Sequence, residues 1–232
     1  MVSLFAVLAV GGCTANPSVE DNDPFEPVNR VVFDVNNAFD KAVALPVAKT
    51  YVDVVPEFAR TGVHNVLTNL DTPVTLANDV LQGEIERAGQ SLGRIVINST
   101  VGIAGLIDIA AEADLPPHSE DMGQTLATYG VTEGPYLVLP FLGPSTVRDT
   151  AGIGIDNLFD PLTYARYDDQ AFWTAMRFAG KALDLRSQNI DTLDAVERSS
   201  IDYYAALRSL YRQQRNSEID NGKASTPPLP EY

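Results

Sequence analysis

The chain has 232 residues, one cysteine and a formal net charge of −15 at pH 7. This length is typical of one domain, and a hydrophobic content of 45% is typical of a folded protein. So large an excess of acidic side chains argues against nucleic-acid binding, because few basic groups are present to neutralise phosphates. It argues equally against a protein that is held on anionic lipid headgroups by basic patches.

The first element in chain order is an apolar N-terminus. Residues 2–10 have the length of a signal-peptide apolar region, and two glycines precede Cys13. We predict a lipoprotein signal peptide over residues 1–12 and acylation of Cys13, and two or three acyl chains would give stable membrane anchoring. In enteric lipoproteins an Asp directly after the acylated cysteine retains the protein in the inner membrane. Thr14 stands at this position here, which favours the outer membrane. The alternative is a lone structural cysteine near the N-terminus.

Composition divides the remainder of the chain into three parts. Residues 13–22 are polar and rich in turn-forming residues, so we expect a tether. Residues 23–215 carry helical apolar periodicity and are expected to form one domain. Residues 216–232 combine small polar residues with several prolines, which predicts a disordered tail.

The first half of this domain is predicted to be helical. Asp23 followed by Glu26 is typical of a helix N-cap, and apolar residues then recur with a 3.6-residue period up to Val43. Gly83 stands where a C-cap glycine would, and another helix is predicted over about residues 84–99. Three prolines are each expected in the first turn of a further helix: Pro46, Pro56 and Pro73.

The second half combines loops, one hairpin and further helices. Within the Gly- and Pro-rich segment 102–154, residues 136–143 are expected to form a strand or hairpin that Pro140 confines to a sheet edge. The most apolar window, residues 95–111, is too short and too polar to span a membrane. Helices are predicted over residues 123–129, 168–185 and 192–215. The predicted fold class is therefore predominantly α, with many short helices and a small β-hairpin-like element.

The sequence carries no motif typical of an enzyme. The patterns G-x-S-x-G, H-E-x-x-H, the P-loop and a strand-linked G-x-G-x-x-G are all missing. The two histidines are far apart in sequence, with His64 in a polar helix at the expected surface and His118 in an acidic loop. We therefore predict a protein that is not an enzyme and that has no metal site and no cofactor.

Several ungapped segments follow one another in a fixed order behind the predicted acylation site. They are DPFEPVNR (23–30), VPEFAR (55–60), residues 65–69, LQG (81–83), NSTVG (98–102), GQTL (123–126), YGV (129–131), GPY (134–136), LP (139–140), GPS (143–145) and RD (148–149). On these segments the chain closely resembles the MlaA (VacJ) family of outer-membrane lipoproteins. The resemblance covers about residues 23–215.

The resemblance implies a ring-like array of short helices, embedded in the periplasmic leaflet of the outer membrane and held there by trimeric porins. It implies that mislocalised phospholipids pass from the outer leaflet through an amphipathic channel to a soluble periplasmic carrier. The carrier would supply an inner-membrane ABC complex, and this retrograde transport would maintain outer-membrane lipid asymmetry. Short helices that begin at prolines can follow a curved array in the plane of a membrane, whereas the long helices of a bundle cannot.

A Gly-rich segment is the first candidate for function. It mixes polar and apolar residues, and we hypothesise that it lines part of the lipid conduit through Asn98, Thr100, Gly102, Gly105 and Asp108. The alternative is a tightly packed helix pair in which the glycines allow close approach.

The hairpin is the second candidate. It is a candidate gate of the channel or a contact for the porin, through Tyr136, Leu139 and Phe141. The alternative is a purely structural flap.

Two other functions stay open at this point. An envelope adaptor or structural lipoprotein would bind a partner without moving lipid. A lipid-modifying hydrolase would depend on one Ser, His or Asp whose loss abolishes activity but not binding.

Overall fold

The computed structural model of the chain describes residues 22–166 and 168–221. The predicted signal peptide, Cys13 and most of the predicted tether and tail lie outside these residues. Within them the chain is predominantly helical and has one two-stranded antiparallel sheet, so the predicted fold class is confirmed. The elements are α1 (Glu26–Phe39), a π-helical turn (Asp40–Ala44), α2 (Leu45–Val54), α3 (Glu57–Gln82), α4 (Ile85–Thr100), α5 (Ile109–Glu112), α6 (Met122–Thr128), β1 (Tyr136–Leu139), β2 (Gly143–Thr146), α7 (Val147–Asp156), a 3₁₀ turn (Pro161–Thr163), α8 (Gln170–Gln188), α9 (Ile190–Ser199) and α10 (Tyr203–Ile219).

The helices of the first half are longer than the prolines suggest. Pro56 does stand at the start of α3, as its N-cap residue. Pro46 likewise lies in the first turn of α2, as expected, although the helical backbone of α1 continues through the π-helical turn into α2. The expectation is wrong for Pro73, which lies inside the 26-residue α3. A proline inside a helix removes one backbone hydrogen bond, and the packing of α3 along α4 and α8 outweighs that loss.

Asp23 does not cap α1, and this prediction is wrong. The N-cap residue is Phe25, which makes no side-chain cap hydrogen bond. The buried carboxylate of Asp23 instead accepts hydrogen bonds from Asn29 Nδ2 at 2.8 Å, from Arg208 Nη1 at 2.9 Å and from the hydroxyl of Tyr204. The acid that precedes α1 therefore joins the start of the domain to α10.

The helix expected over residues 192–215 is two helices, α9 and α10. They are separated at residues 200–202, where Asp202 caps α10 by accepting a hydrogen bond from the backbone N–H of Ala205 at 3.1 Å. Helix α10 then continues to Ile219, four residues past the expected end of the domain.

The turn residues are predicted well. Gly83 ends α3 with a φ of +76°, which is the left-handed conformation expected of a C-cap glycine. Strand β1 pairs with β2 from Tyr136 opposite Thr146 to Leu139 opposite Gly143. Pro140 lies in the turn between the strands, where its missing N–H interrupts no ladder hydrogen bond.

The distribution of polar and apolar side chains is the reverse of that in a soluble globule. Among the described residues, 17 polar or charged residues are buried but only seven hydrophobic ones, and Val138 is the one Val, Leu, Ile or Phe among them. In contrast, 34 large hydrophobic side chains are exposed. Water-soluble proteins bury many of these residue types. The interior of this chain is therefore held together mainly by polar contacts, and large apolar side chains cover much of its exterior.

Helix α4 shows this reversal within one element. The predicted helical period is present, but the apolar face points outward and exposes Ile85, Leu92 and Val96. The buried face carries Ala88, Ser91, Arg94 and Asn98. Over residues 22–166 and 168–221, no helix has the length and apolar character needed to cross a bilayer.

Candidate functional site

Polar side chains join α3 to α4 and to the loop before α6. The fully buried carboxylate of Asp79 accepts a hydrogen bond from Ser91 Oγ at 2.6 Å, and His118 Nε2 lies 3.0 Å from the same oxygen. Arg87 lies beside this group and forms an ion pair with Glu120 at 2.5 Å. These contacts fix the loop that carries His118 and Glu120 on the α3–α4 pair.

Ser91, His118 and Asp79 include the residue types of a hydrolase triad, but their geometry is different. In a triad the serine and the carboxylate lie on opposite nitrogens of the imidazole. Here Nε2 of His118 faces both Ser91 Oγ, at 3.2 Å, and Asp79, and Ser91 is only 1% exposed. The arrangement fits a structural hydrogen-bond network and not an attacking nucleophile.

A cavity of about 330 Å³ lies between α3, α7, α8 and the residues just before α6, and we call it the charged cavity. Its volume is in the range of small-ligand pockets. Five carboxylates, two cations and several smaller groups line it: Asp71, Val74, Thr75, Ser119, Glu120, Asp121, Asp156, Asn157, Asp160, Thr174, Arg177, Phe178 and Lys181.

Arg177 is the central cation of the charged cavity. From α8 it donates to Asp160 at 2.5 Å, to Asp71 at 2.8 Å and to the carbonyl of Leu70 at 3.3 Å. Lys181, one turn further along α8, binds the other oxygen of Asp71 at 2.7 Å. Helix α8 therefore presents two positive groups to a wall that is otherwise acidic.

Burial disfavours the ionised form of two carboxyl groups in this cavity. It raises the pKa of Asp156, although this carboxylate accepts hydrogen bonds from Asn78 Nδ2 at 2.9 Å and from the N–H of Met122 at 3.1 Å. Burial also raises the pKa of Glu120. Unlike Glu120, Asp156 forms no ion pair with any Lys or Arg of the described residues.

A second cavity, of about 660 Å³, adjoins the first, and we call it the apolar cavity. Its apolar lining is Leu67, Leu70, Leu162, Trp173 and Met176. The two cavities share Asn157, Asp160, Thr174 and Arg177. A charged and an apolar compartment thus meet at one wall, which suits a ligand that has a polar part and an apolar part.

The five residues predicted to line a lipid conduit lie in α4 and in the segment that leads to α5, and none of them lines either cavity. A Cβ on Gly102 would lie 2.6 Å from the carbonyl oxygen of Asn98. A Cβ on Gly105, whose φ is +90°, would lie 2.6 Å from the Cβ of Asn69. Both glycines occupy closely packed backbone positions, which favours the packing alternative, and their role in a conduit stays a prediction.

Asn98 and Asp108 belong to one polar network at the same corner. Asn98 donates to Asp108 at 2.9 Å and accepts a hydrogen bond from the N–H of Ala110 at 2.9 Å. Burial acts to raise the pKa of Asp108, but hydrogen bonds from Arg94, at 2.8 Å, and from Asn98 hold it below its usual value. Thr100 Oγ1 donates to a carbonyl of its own helix at 2.6 Å. The network fixes the end of α4 to the start of α5.

The three hairpin candidates have different environments. Tyr136 is 2% exposed and packs edge-to-face against Tyr204, so it is a core residue. Leu139 is half-buried. Phe141 is exposed in the turn, and its ring contacts Phe39 of α1 at a centroid distance of 5.2 Å. Of the three, Phe141 is the best placed to contact a partner, and a gating or porin-binding role stays a prediction.

Two asparagines of α1 bind the backbone of the hairpin. Asn29 donates to one carbonyl of β1 and accepts a hydrogen bond from one of its N–H groups, both at 3.0 Å. Asn36, two turns later, donates to the carbonyl of Leu139 and accepts from the N–H of Phe141, both at 2.9 Å. The hairpin is therefore attached to α1 by side-chain amides.

Asn36→Ala is expected to loosen the hairpin turn, because two hydrogen bonds are lost and the N–H of Phe141 must bind water instead. The expected cost is about 1–2 kcal/mol in the free energy of unfolding. Hydrogen exchange of the Phe141 amide should become faster in the purified protein. Asn37→Ala removes the same amide one position along α1 and is the control. Equal exchange rates in the two variants would contradict the assignment.

None of the residues that line the charged cavity is among the functional candidates drawn from the sequence. The one local signal is the four-residue spacing of Arg177 and Lys181, which places two cations on one helix face of an acidic chain. Asp71 and Asp156 join them only through the tertiary fold.

Comparison with known proteins identifies relatives along nearly the whole chain. The family model described as MlaA lipoprotein matches residues 21–218. The intermembrane phospholipid transport system lipoprotein MlaA of Escherichia coli (strain K12) is 33% identical over 220 residues, which cover 91% of this chain and 84% of the relative. The protein of the same name in Haemophilus influenzae is 30% identical over 230 residues, with 96% and 91% covered. An uncharacterized protein of Rickettsia conorii is 36% identical over 210 residues, with 90% and 82% covered.

A solved structure has a similar fold. It comes from work on the structural basis for maintenance of bacterial outer membrane lipid asymmetry, and its TM-score to this chain is 0.76 at 33% sequence identity. The match covers 85% of this chain and 98% of that chain. Together with the family model, which covers the described helices and the hairpin, these similarities show that the chain belongs to the MlaA lipoprotein family.

Proposed function

We propose that the protein is an outer-membrane lipoprotein that passes mislocalised phospholipids from the outer leaflet through an amphipathic channel to a soluble periplasmic carrier. It lies in the periplasmic leaflet, is anchored through acylated Cys13 and is held by a trimeric porin. The carrier delivers the lipid to an inner-membrane ABC complex. This retrograde transport maintains outer-membrane lipid asymmetry and involves no covalent chemistry.

The observation that carries the proposal is the reversed distribution of polar and apolar side chains. The exposed apolar faces of α1 and α4 suit contact with acyl chains, and the buried polar groups bind one another instead of water. So large an exposed apolar surface indicates an interaction surface. A bilayer leaflet would cover it through contact with acyl chains, which requires no basic residues on the protein.

The two adjoining cavities support the transport step. A phospholipid has a charged headgroup and apolar tails. The charged cavity offers Arg177, Lys181 and carboxylates to the headgroup, and the apolar cavity offers side chains such as Leu67 and Trp173 to the tails. Because Thr174 and Arg177 line both, one lipid could place its two parts on either side of this shared wall.

The names of the relatives support the same function. The proteins from Escherichia coli and Haemophilus influenzae are named for intermembrane phospholipid transport, and the solved structure comes from work on outer-membrane lipid asymmetry. The porin and the carrier rest on the family resemblance.

The test measures phospholipid exposed on the cell surface in wild type, a deletion strain, and the deletion strain that carries Cys13→Ala. We expect deletion to raise surface phospholipid, and we expect the variant not to restore it because the protein then lacks its acyl anchor. Complementation with the unaltered gene is the control.

An exposed apolar surface also suits a protein partner. If deletion leaves surface phospholipid unchanged, the transport proposal is wrong. An envelope adaptor that binds a partner without moving lipid would then be the better explanation.

A further inference from the structure

The charges around the charged cavity indicate which headgroups it accepts. Building on the proposed function, we propose that this cavity selects zwitterionic phospholipids that carry an ammonium group, such as phosphatidylethanolamine, over anionic ones, such as phosphatidylglycerol. The ammonium binds at Asp156, and the phosphate binds at Lys181.

The first argument is charge balance. Five carboxylates line the cavity, and two of them, Asp71 and Asp160, pair with the two cations of α8. Two others pair with arginines that do not line the cavity: Glu120 with Arg87 at 2.5 Å and Asp121 with Arg215 at 2.6 Å. Asp156 forms no ion pair within the described part of the chain. Among the five, its carboxylate is therefore the one without a cation at ion-pair distance.

The second argument is the environment of that carboxylate. Asn78 and the N–H of Met122 hold its oxygens in place, but neither carries a full positive charge. Arg215 attracts this carboxylate only from beyond ion-pair distance, and it is bonded to Asp121 and Asp149. Coulomb attraction is stronger in a partly enclosed protein site than in bulk water. A ligand ammonium at this point would supply the missing cation.

The third argument is the donor capacity of Lys181. Its ammonium has three N–H donors, and its contact in the cavity is one bond to Asp71 at 2.7 Å. Its half-exposed side chain leaves donors for a phosphate oxygen, whereas Arg177 is occupied by two carboxylates and a carbonyl. An anionic headgroup could bind Lys181 equally well, but it would bring no cation to Asp156.

The test uses the acylated mature protein in detergent at neutral pH and physiological ionic strength. It is incubated with an equimolar mixture of phosphatidylethanolamine and phosphatidylglycerol that have identical acyl chains, and retained lipid is quantified by mass spectrometry. We expect retained phosphatidylethanolamine to exceed phosphatidylglycerol by at least about fivefold.

Asp156→Asn removes the charge but keeps an acceptor oxygen, and it should bring the two lipids to near parity. Asp34→Asn is the matched control, because it removes the same charge from an exposed position of α1. It should keep the wild-type ratio.

A second variant keeps the proposal testable, because Asp156 also binds the first residue of α6 and its replacement could impair folding. Asn157→Lys adds a positive charge at an exposed residue that lines both cavities. It should shift retention toward phosphatidylglycerol. If folded Asp156→Asn or Asn157→Lys keeps the wild-type preference, the proposal is overturned.

The wild-type result separates this inference from the proposed function. Retention of both lipids without preference overturns the inference and leaves the transport function standing. Retention of neither lipid contradicts the proposed function, and the inference fails with it.

Discussion

Arg208→Met is expected to lower the free energy of unfolding by about 3–5 kcal/mol. The guanidinium of Arg208 donates to Asp23 at 2.9 Å, and the two side chains are only 10% and 1% exposed. Asn29 and Tyr204 also bind this carboxylate, but they are neutral. Removal of the arginine leaves a buried negative charge without its cation and detaches the start of the domain from α10.

Chemical denaturation followed by circular dichroism in detergent would measure this loss. Arg198→Met is the matched control, because Arg198 is 78% exposed and pairs with Asp194 within α9. Its expected cost is below about 0.5 kcal/mol. Similar losses in the two variants would mean that the buried pair contributes no more than a surface pair.

Thr174→Trp is expected to raise surface phospholipid to the level of a deletion strain while the protein folds normally. Thr174 lines both cavities, so an indole at this position would fill the space where they meet. Its hydroxyl donates to the carbonyl of Gln170 within α8, and no tertiary hydrogen bond is lost. The measurement is surface phospholipid in the complemented deletion strain, together with protein level in the membrane.

Thr192→Trp provides the control for this substitution. It makes the same change at an exposed position of α9 that lines neither cavity. This variant should clear phospholipid as the unaltered protein does. Normal clearance by folded Thr174→Trp would exclude the shared wall as part of the lipid route.

Local chemistry explains which parts of the fold are predictable from the sequence. Gly83 is predictable because only a residue that tolerates positive φ ends a helix in this way. The helical period of α4 is likewise visible, but periodicity marks an apolar stripe without telling what covers it. The sequence therefore predicts the helix and not the direction in which Ile85 and Leu92 point. The position of Pro73 is mispredicted because the tertiary packing of α3, and not the proline, decides whether the helix continues through this residue.

The candidate site was less predictable for a different reason. Asp71, Asp156 and Arg177 stand far apart in the chain and meet only when α3, α7 and α8 pack together. Glycines at 102 and 105 are visible as a local cluster, yet the same composition serves close packing as readily as a conduit. Family resemblance indicates a channel without identifying which side chains form it.

The asparagines that bind the hairpin determine how a partner can dock there. Backbone groups of β1 that a neighbouring strand would use are already bonded, since Asn29 binds the carbonyl of Tyr136 and the N–H of Val138, and the carbonyl of Asn22 accepts from the N–H of Tyr136 at 3.0 Å. On the other strand, Pro144 has no N–H to offer. Strand addition at the edge of β1, a mode by which many sheets recruit partners or aggregate, would have to displace these contacts. A protein that binds this hairpin without displacing them recognises its side chains, and Phe141 at the turn is the most exposed of the hairpin candidates.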